Sequence, residues 1–178
     1  MKSGDGDLSF DIRAATSTDA EATHAALDAV ARERRWLGRA KAGSLEGFAR
    51  FIEYLEASET PMRIALSKGK VIGFCDISRP TTESRSHVGV LGMGVLSDHR
   101  GFGVGRALLE AVLADAVKAG IERVELDVLA DNTAALKLYE AFGFVREGVR
   151  PGAWKLDDQS RDIVLMGLLC DERSAGAK

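Results

Sequence analysis

The sequence predicts one domain of the mixed α/β class, a single sheet with helices packed on it. Two observations lead there. Extended apolar segments alternate with amphipathic stretches in the order β-α-α-β-β-β-α-β-α-β-β. The 178 residues suffice for one proper core, and no linker, repeat or low-complexity block divides them.

In chain order, Ser9-Phe10-Asp11-Ile12-Arg13 alternates as a strand, and Thr18-Asp19 caps a helix to about Arg34. A second helix, from about Ser44 to Ala57, carries Leu45, Phe48, Phe51, Ile52 and Leu55 on one stripe. Past Pro61, Arg63–Leu66 and Val71–Ile77 flank Lys68-Gly69-Lys70 as a hairpin. His87 to Leu96 is a strand with Gly89, Gly92 and Gly94 inside it; such glycines mark a bulge or a close approach. A helix from Gly103 to Ala119 stops at Gly120, and Arg123 to Leu129 is a strand. Asp131-Asn132-Thr133 caps a helix ending at Gly143, and Phe144–Glu147 and Asp162–Met166 close the sheet. Residues 1–7 and 171–178 are small and polar, and read as disordered, flexible tails around a domain at 8–170.

Bulk chemistry excludes several function classes. A net charge of −3 gives no support for binding nucleic acid or an anionic membrane. No stretch approaches a membrane span, and the first seven residues lack the apolar core of a signal peptide, so a cytoplasmic protein is expected. Cys75 and Cys170 read as reduced core residues, and neither they nor His24 and His99 have metal-ligand spacing.

The run from Val95 to Leu109 joins a strand to a helix through Arg100-Gly101-Phe102-Gly103-Val104-Gly105-Arg106. Such a turn leaves backbone N–H groups unhindered at a helix N-terminus, where a phosphate can bind. Arg106 stands where a dinucleotide fold needs its third glycine, and no Lys-Ser/Thr follows Gly105 as in a nucleoside-triphosphate loop. The remaining pattern resembles the Q/R-x-x-G-x-G/A acetyl-CoA signature of the GCN5-related N-acetyltransferases (GNAT). Glu125 to Phe144 resembles that family's second block.

The resemblance implies a sheet with a splayed, bulged central strand and an acetyl-CoA cosubstrate, with no metal. Arg100 to Gly105 would wrap the CoA pyrophosphate, with Arg106 adding charge. Backbone amides of Met93 or Val95 would face the pantetheine arm and polarise the thioester carbonyl. Asn132 would cap its helix and touch that arm. Tyr139, two turns beyond Asn132, would protonate the departing thiolate. The base is open: His87 to Gly94 has no carboxylate, while Asp127 lies where related ribosomal-protein alanine acetyltransferases carry a catalytic glutamate. Asp127 stands against a structural hydrogen-bonding role, His87 is a lesser candidate, and a deprotonated amine needs no dedicated base.

The acceptor side is less legible. Trp36, Phe51 and Tyr54, with the arginines of Ala31–Leu37, are pocket candidates set against plain packing; Trp154 and Lys155 belong opposite by analogy. The resemblance implies a primary amine of an amino acid or related small molecule as acceptor. A protein N-terminal amine is second, and a catalytically inactive CoA-binding sensor domain is the alternative of another class. A homodimer through the last strands fits the resemblance.

Overall fold

The computed structural model describes residues 8–170; the tails expected at 1–7 and 171–178 lie outside the described residues. One seven-stranded sheet carries four helices, in the predicted element order. The strands are β1 (Asp11–Ala14), β2 (Met62–Ser67), β3 (Lys70–Ser78), β4 (Val88–Val95), β5 (Arg123–Leu129), β6 (Val145–Leu156) and β7 (Gln159–Leu169). The helices are α1 (Ala20–Arg32), α2 (Leu45–Ala57), α3 (Val104–Lys118) and α4 (Thr133–Ala141). Spatially the strands run β1-β2-β3-β4-β5-β7-β6, and only β4 and β5 are parallel.

Each face of the sheet has its own core. On one, Leu108, Leu109 and Val112 of α3 and Leu136 of α4 pack on Cys75, Ile77, Val124, Leu126 and Met166. On the other, Ala26 of α1 and Ile52 and Leu55 of α2 pack on Ile64, Val71 and Phe74. Full burial of one such side chain is worth roughly 1.5–3 kcal/mol, so the α3 stripe alone anchors that face. Arg63 on β2 pairs with Asp115 on α3, Nε to Oδ2 at 2.6 Å, and fixes the helix across the sheet.

Caps explain where the helices begin and end. Ser44 accepts from the Gly47 N–H at 3.1 Å, and Asn132 from the Ala135 N–H at 3.3 Å. Asp19 behaves differently from expectation. Its carboxylate makes no cap bond to α1; it accepts from the Thr16 N–H at 2.9 Å and forms a two-point pair with Arg13, both contacts 2.7 Å. It thereby closes a 3₁₀ turn, Ser17–Asp19, that leads into α1. The Arg13 hydrogen bonds hold the largely buried Asp19 carboxyl down at about 2. Because the folded value lies below the unfolded one, this stability is full above the unfolded value and is lost as pH falls through about 2. Asp19→Asn is expected to cost about 2 kcal/mol at pH 7 and progressively less toward pH 2, read by urea unfolding at both ends.

The last two strands are far longer than the sequence pattern indicates. They form a hairpin through Asp157 and Asp158, both at positive φ. Register shifts between Arg146 and Gly148 and between Arg150 and Trp154 accommodate Pro151 on this edge strand.

Candidate active site

The sheet opens in its middle. β4 and β5 pair over only Val88–Arg123, Gly89–Val124 and Val90–Glu125, and beyond Val90 they part. The predicted splay is therefore present, and it comes from divergence of β4 from β5. The register of β4 with β3 is unbroken from Gly73–Val95 to Ser78–Val90, so no bulge interrupts that side. Leu96 donates its N–H to the Ile72 carbonyl on β3 at 2.9 Å. Alternation along the strand then turns the amides of Val95 and Met93 toward the gap.

At the end of the gap lies the glycine turn. Gly101 and Gly103 both have φ of +83°, a conformation that side chains resist, and Gly103 is the residue before α3. The backbone N–H groups from Gly101 to Arg106 reach no acceptor among the described residues. Six open donors at the N-terminus of a 15-residue helix fit a pyrophosphate in number and polarity. Phe102 is exposed and Val104 is buried as the first core residue of α3. The Arg106 guanidinium lies 5.1 Å from the Phe142 ring centroid.

Arg100 is engaged within the protein. It donates from Nε to the Val95 carbonyl at 2.8 Å and from both terminal nitrogens to Glu33 at 2.8 and 2.6 Å. Its own N–H goes to the Ser97 carbonyl, so Arg100 shapes the turn.

Tyr139 stands on α4, buried, with its ring 5.7 Å from that of Phe144. Its hydroxyl makes no hydrogen bond among the described residues. Burial, with a smaller effect of nearby Cys75, pushes the phenol above its ordinary value, so it holds its proton at neutral pH.

Asp127 points to the opposite face of β5 from Leu126 and Val128; it is exposed and pairs with Arg150 of β6 at 3.1 Å. His87 precedes β4 and accepts through its carbonyl from the Glu122 N–H.

On the α1–α2 face of the sheet a pocket of about 480 Å³ opens against β3 and β4. Phe48 and Phe51 from α2, Leu27 from α1 and Phe74 from β3 make it apolar; Arg39 on the α1–α2 loop adds a cation. Of the sequence candidates, Phe51 lines it, whereas Tyr54 is exposed on α2. Trp36 and Trp154 do not line it; they meet through Arg161. The Arg161 guanidinium lies 5.6 Å from the Trp36 ring and 4.9 Å from the Trp154 ring, and it donates to the Arg35 carbonyl at 2.6 Å. This contact ties the α1–α2 loop to β7. Lys155 pairs with Asp158 in the hairpin.

The pocket contains one group the sequence reading passes over. Asp76 on β3 lies directly across from Gly92 on β4, and a Cβ at Gly92 would sit 3.1 Å from its Oδ1. A Cβ at Gly94 would likewise strike the Phe74 ring at 2.6 Å. Gly92 and Gly94 thus make room for the side chains of β3 on the pocket face. The Asp76 carboxylate makes no hydrogen bond or ion pair among the described residues, and burial alone pushes it up to about 7. A lone carboxylate inside the apolar run Val71–Ile77 was the available signal.

With this geometry in view, the comparisons identify the class. Residues 24–144 match the model of the Acetyltransferase (GNAT) family. The chain belongs to that family. A segment of 71 residues is 37% identical to the [Ribosomal protein bS18]-alanine N-acetyltransferase of Escherichia coli, covering 40% of this chain and 48% of that protein. The chain thus spans about half the length of the curated relatives it matches. A GNAT acetyltransferase structure from Streptococcus pneumoniae superposes with a TM-score of 0.85 at 27% identity, over 92% of this chain and all of the other. YncA of Salmonella typhimurium, solved with its cofactor acetyl-CoA, superposes with a TM-score of 0.86 at 19% identity, over 92% and 95%. Among the described residues no helix is long and apolar enough to cross a membrane.

Proposed function

We propose that this chain is an acetyl-CoA-dependent N-acetyltransferase acting on a primary amine by direct attack in a ternary complex. The observation that carries the reading is the parted β4–β5 pair ending at six open N–H donors. The residues present fit acetyl-CoA: Gly101 to Arg106 would hold its pyrophosphate, and the Met93 and Val95 amides and Asn132 its pantetheine arm. When bound, acetyl-CoA supplies an acetyl group activated as a thioester.

The chain's own groups do the rest. The amide of Met93 or Val95 donates to the carbonyl oxygen as negative charge grows there. Tyr139 holds the proton that the thiolate sulfur needs. Asp127, paired with Arg150 on an exposed face, reaches an amine only through water.

The acceptor is a small amine with an apolar body, an amino acid or related metabolite, because the aromatic pocket has the volume of a small-ligand site. A protein N-terminal amine is the second reading, favoured by the similarity to an enzyme named for alanine of a ribosomal protein. A panel of free amino acids, their amides and short peptides, assayed by thiol release from acetyl-CoA, separates the two readings. Tight acetyl-CoA binding with no thiol release for any amine would leave only a CoA-binding sensor domain. Gly103→Val is expected to weaken acetyl-CoA binding at least tenfold, since it strains the +83° turn beside the open donors. Unchanged affinity by calorimetry would refute the pyrophosphate assignment.

A further inference from the structure

We propose that Asp76 is the catalytic base of this enzyme and takes the proton from the acceptor nitrogen. The proposal rests on the acetyl-transfer reading above and assigns the group which that reading leaves open.

Three observations carry it. First, position: Asp76 lies in the pocket wall beside Gly92 and Met93, at the side of β4 from which an amine in the pocket approaches the gap. Second, space: Gly92 presents no side chain, so the carboxylate occupies the volume that a residue on β4 would fill. The absence of a carboxylate on β4 is thus compensated one strand away, on the same face. Third, isolation: no donor among the described residues satisfies either oxygen. A carboxylate with no protein partner in the wall of an aromatic pocket is costly to fold around, and an ammonium or amine N–H is the partner that its chemistry suits.

The charged surroundings are sparse. Arg39 is the one other charged residue lining the pocket. The elements packed there, α1, α2 and β4, contribute Leu27, Gly47, Phe48, Phe51, Gly92 and Met93 to its wall. Cys75 beside Asp76 belongs to the opposite core. Desolvation therefore governs the carboxyl and holds it near neutrality, where a base is both available and strong enough. Asp127 instead lies exposed, paired with Arg150 of β6.

The amine lone pair forms the nitrogen–carbon bond, and Asp76 takes an N–H proton. The carbon–sulfur bond breaks with its electron pair on sulfur, and Tyr139 gives sulfur a proton. Exchange with solvent resets both side chains.

The test uses the whole chain with 2-phenylethylamine, whose aromatic body suits the pocket and whose ammonium titrates at about 10, outside the window of interest. In the wild type, kcat/KM should fall on the acid side with an apparent pKa near 7, the value of the free enzyme. Asp76→Asn should lower kcat at pH 7 by about 10²-fold or more and abolish that limb, with KM changed little. Carbon-13 NMR of aspartate-labelled protein gives a readout free of turnover: one carboxyl should titrate near 7, vanish in Asp76→Asn, and move down when the amine is added. The proposal is overturned if Asp76→Asn raises only KM and keeps the limb, if Asp127→Asn is the variant that removes the limb, or if no carboxyl titrates near neutrality. Wild-type protein that releases no thiol with any amine would instead sink the acetyl-transfer reading itself.

Discussion

Tyr139→Phe is expected to lower kcat by about 10²- to 10⁴-fold while acetyl-CoA affinity stays within a few-fold. The substitution removes one atom with a defined chemical task and little else. The ring is buried against Phe144, and phenylalanine keeps that packing. The hydroxyl has no hydrogen-bond partner among the described residues, so its loss orphans no buried group. Burial keeps the phenol protonated at neutral pH, the state a proton donor to sulfur requires. Thiol release at saturating amine, alongside an acetyl-CoA titration and a thermal melt, separates the three quantities. Turnover within about threefold of wild type, with chemistry rate-limiting, would remove Tyr139 from the acid role.

Asp76→Asn is expected to stabilise the fold at alkaline pH while it removes activity. The folded carboxyl titrates at about 7 against an ordinary value of 3.8. Below the unfolded value Asp76 is neutral in both states, and burial costs no charge. As pH rises through the folded value, the native state must carry a desolvated carboxylate, so stability is lost between about pH 4 and 7 and stays lost above. The shift corresponds to at most roughly 4 kcal/mol, reduced by the partial opening of the side chain to the pocket. Asparagine has no such charge, so the gap between variant and wild type should be near zero at pH 4 and level off above pH 8. Denaturant midpoints at pH 4, 6 and 8 check the trend. A variant that is less stable than wild type at pH 8 would mean that Asp76 has a structural partner. Stability gained where function is lost is the expected mark of a group held for chemistry.

The sequence made the elements legible where local chemistry terminates them. Ser44, Asn132, Gly120 and Gly143 stand at real helix boundaries because capping and left-handed turns are decided within a few residues. The glycine turn was legible for the same reason. The β6–β7 hairpin was not: β6 lies at the sheet edge with most of its residues exposed, so no alternation marks its length. Asp76 was missed because its meaning depends on register. Only the pairing of Asp76 with Gly92 across two strands reveals that the glycine gives the carboxylate its room. Arg161 likewise joins Trp36 and Trp154, which stand 118 positions apart in a chain whose pattern says nothing of their meeting.

Arg100 sets a limit on how modular this scaffold is. Its guanidinium is shared between Glu33, just past the end of α1, and the carbonyl of Val95, at the end of β4. A loop transplanted from another member of the family in place of residues 33–43 would have to bring an acid at its first position. Without one, a half-buried arginine beside the glycine turn would lose its counter-charge, and the graft would disturb the turn proposed to hold acetyl-CoA. Redesign of the proposed acceptor site therefore begins beyond Glu33, at the residues that face the aromatic pocket.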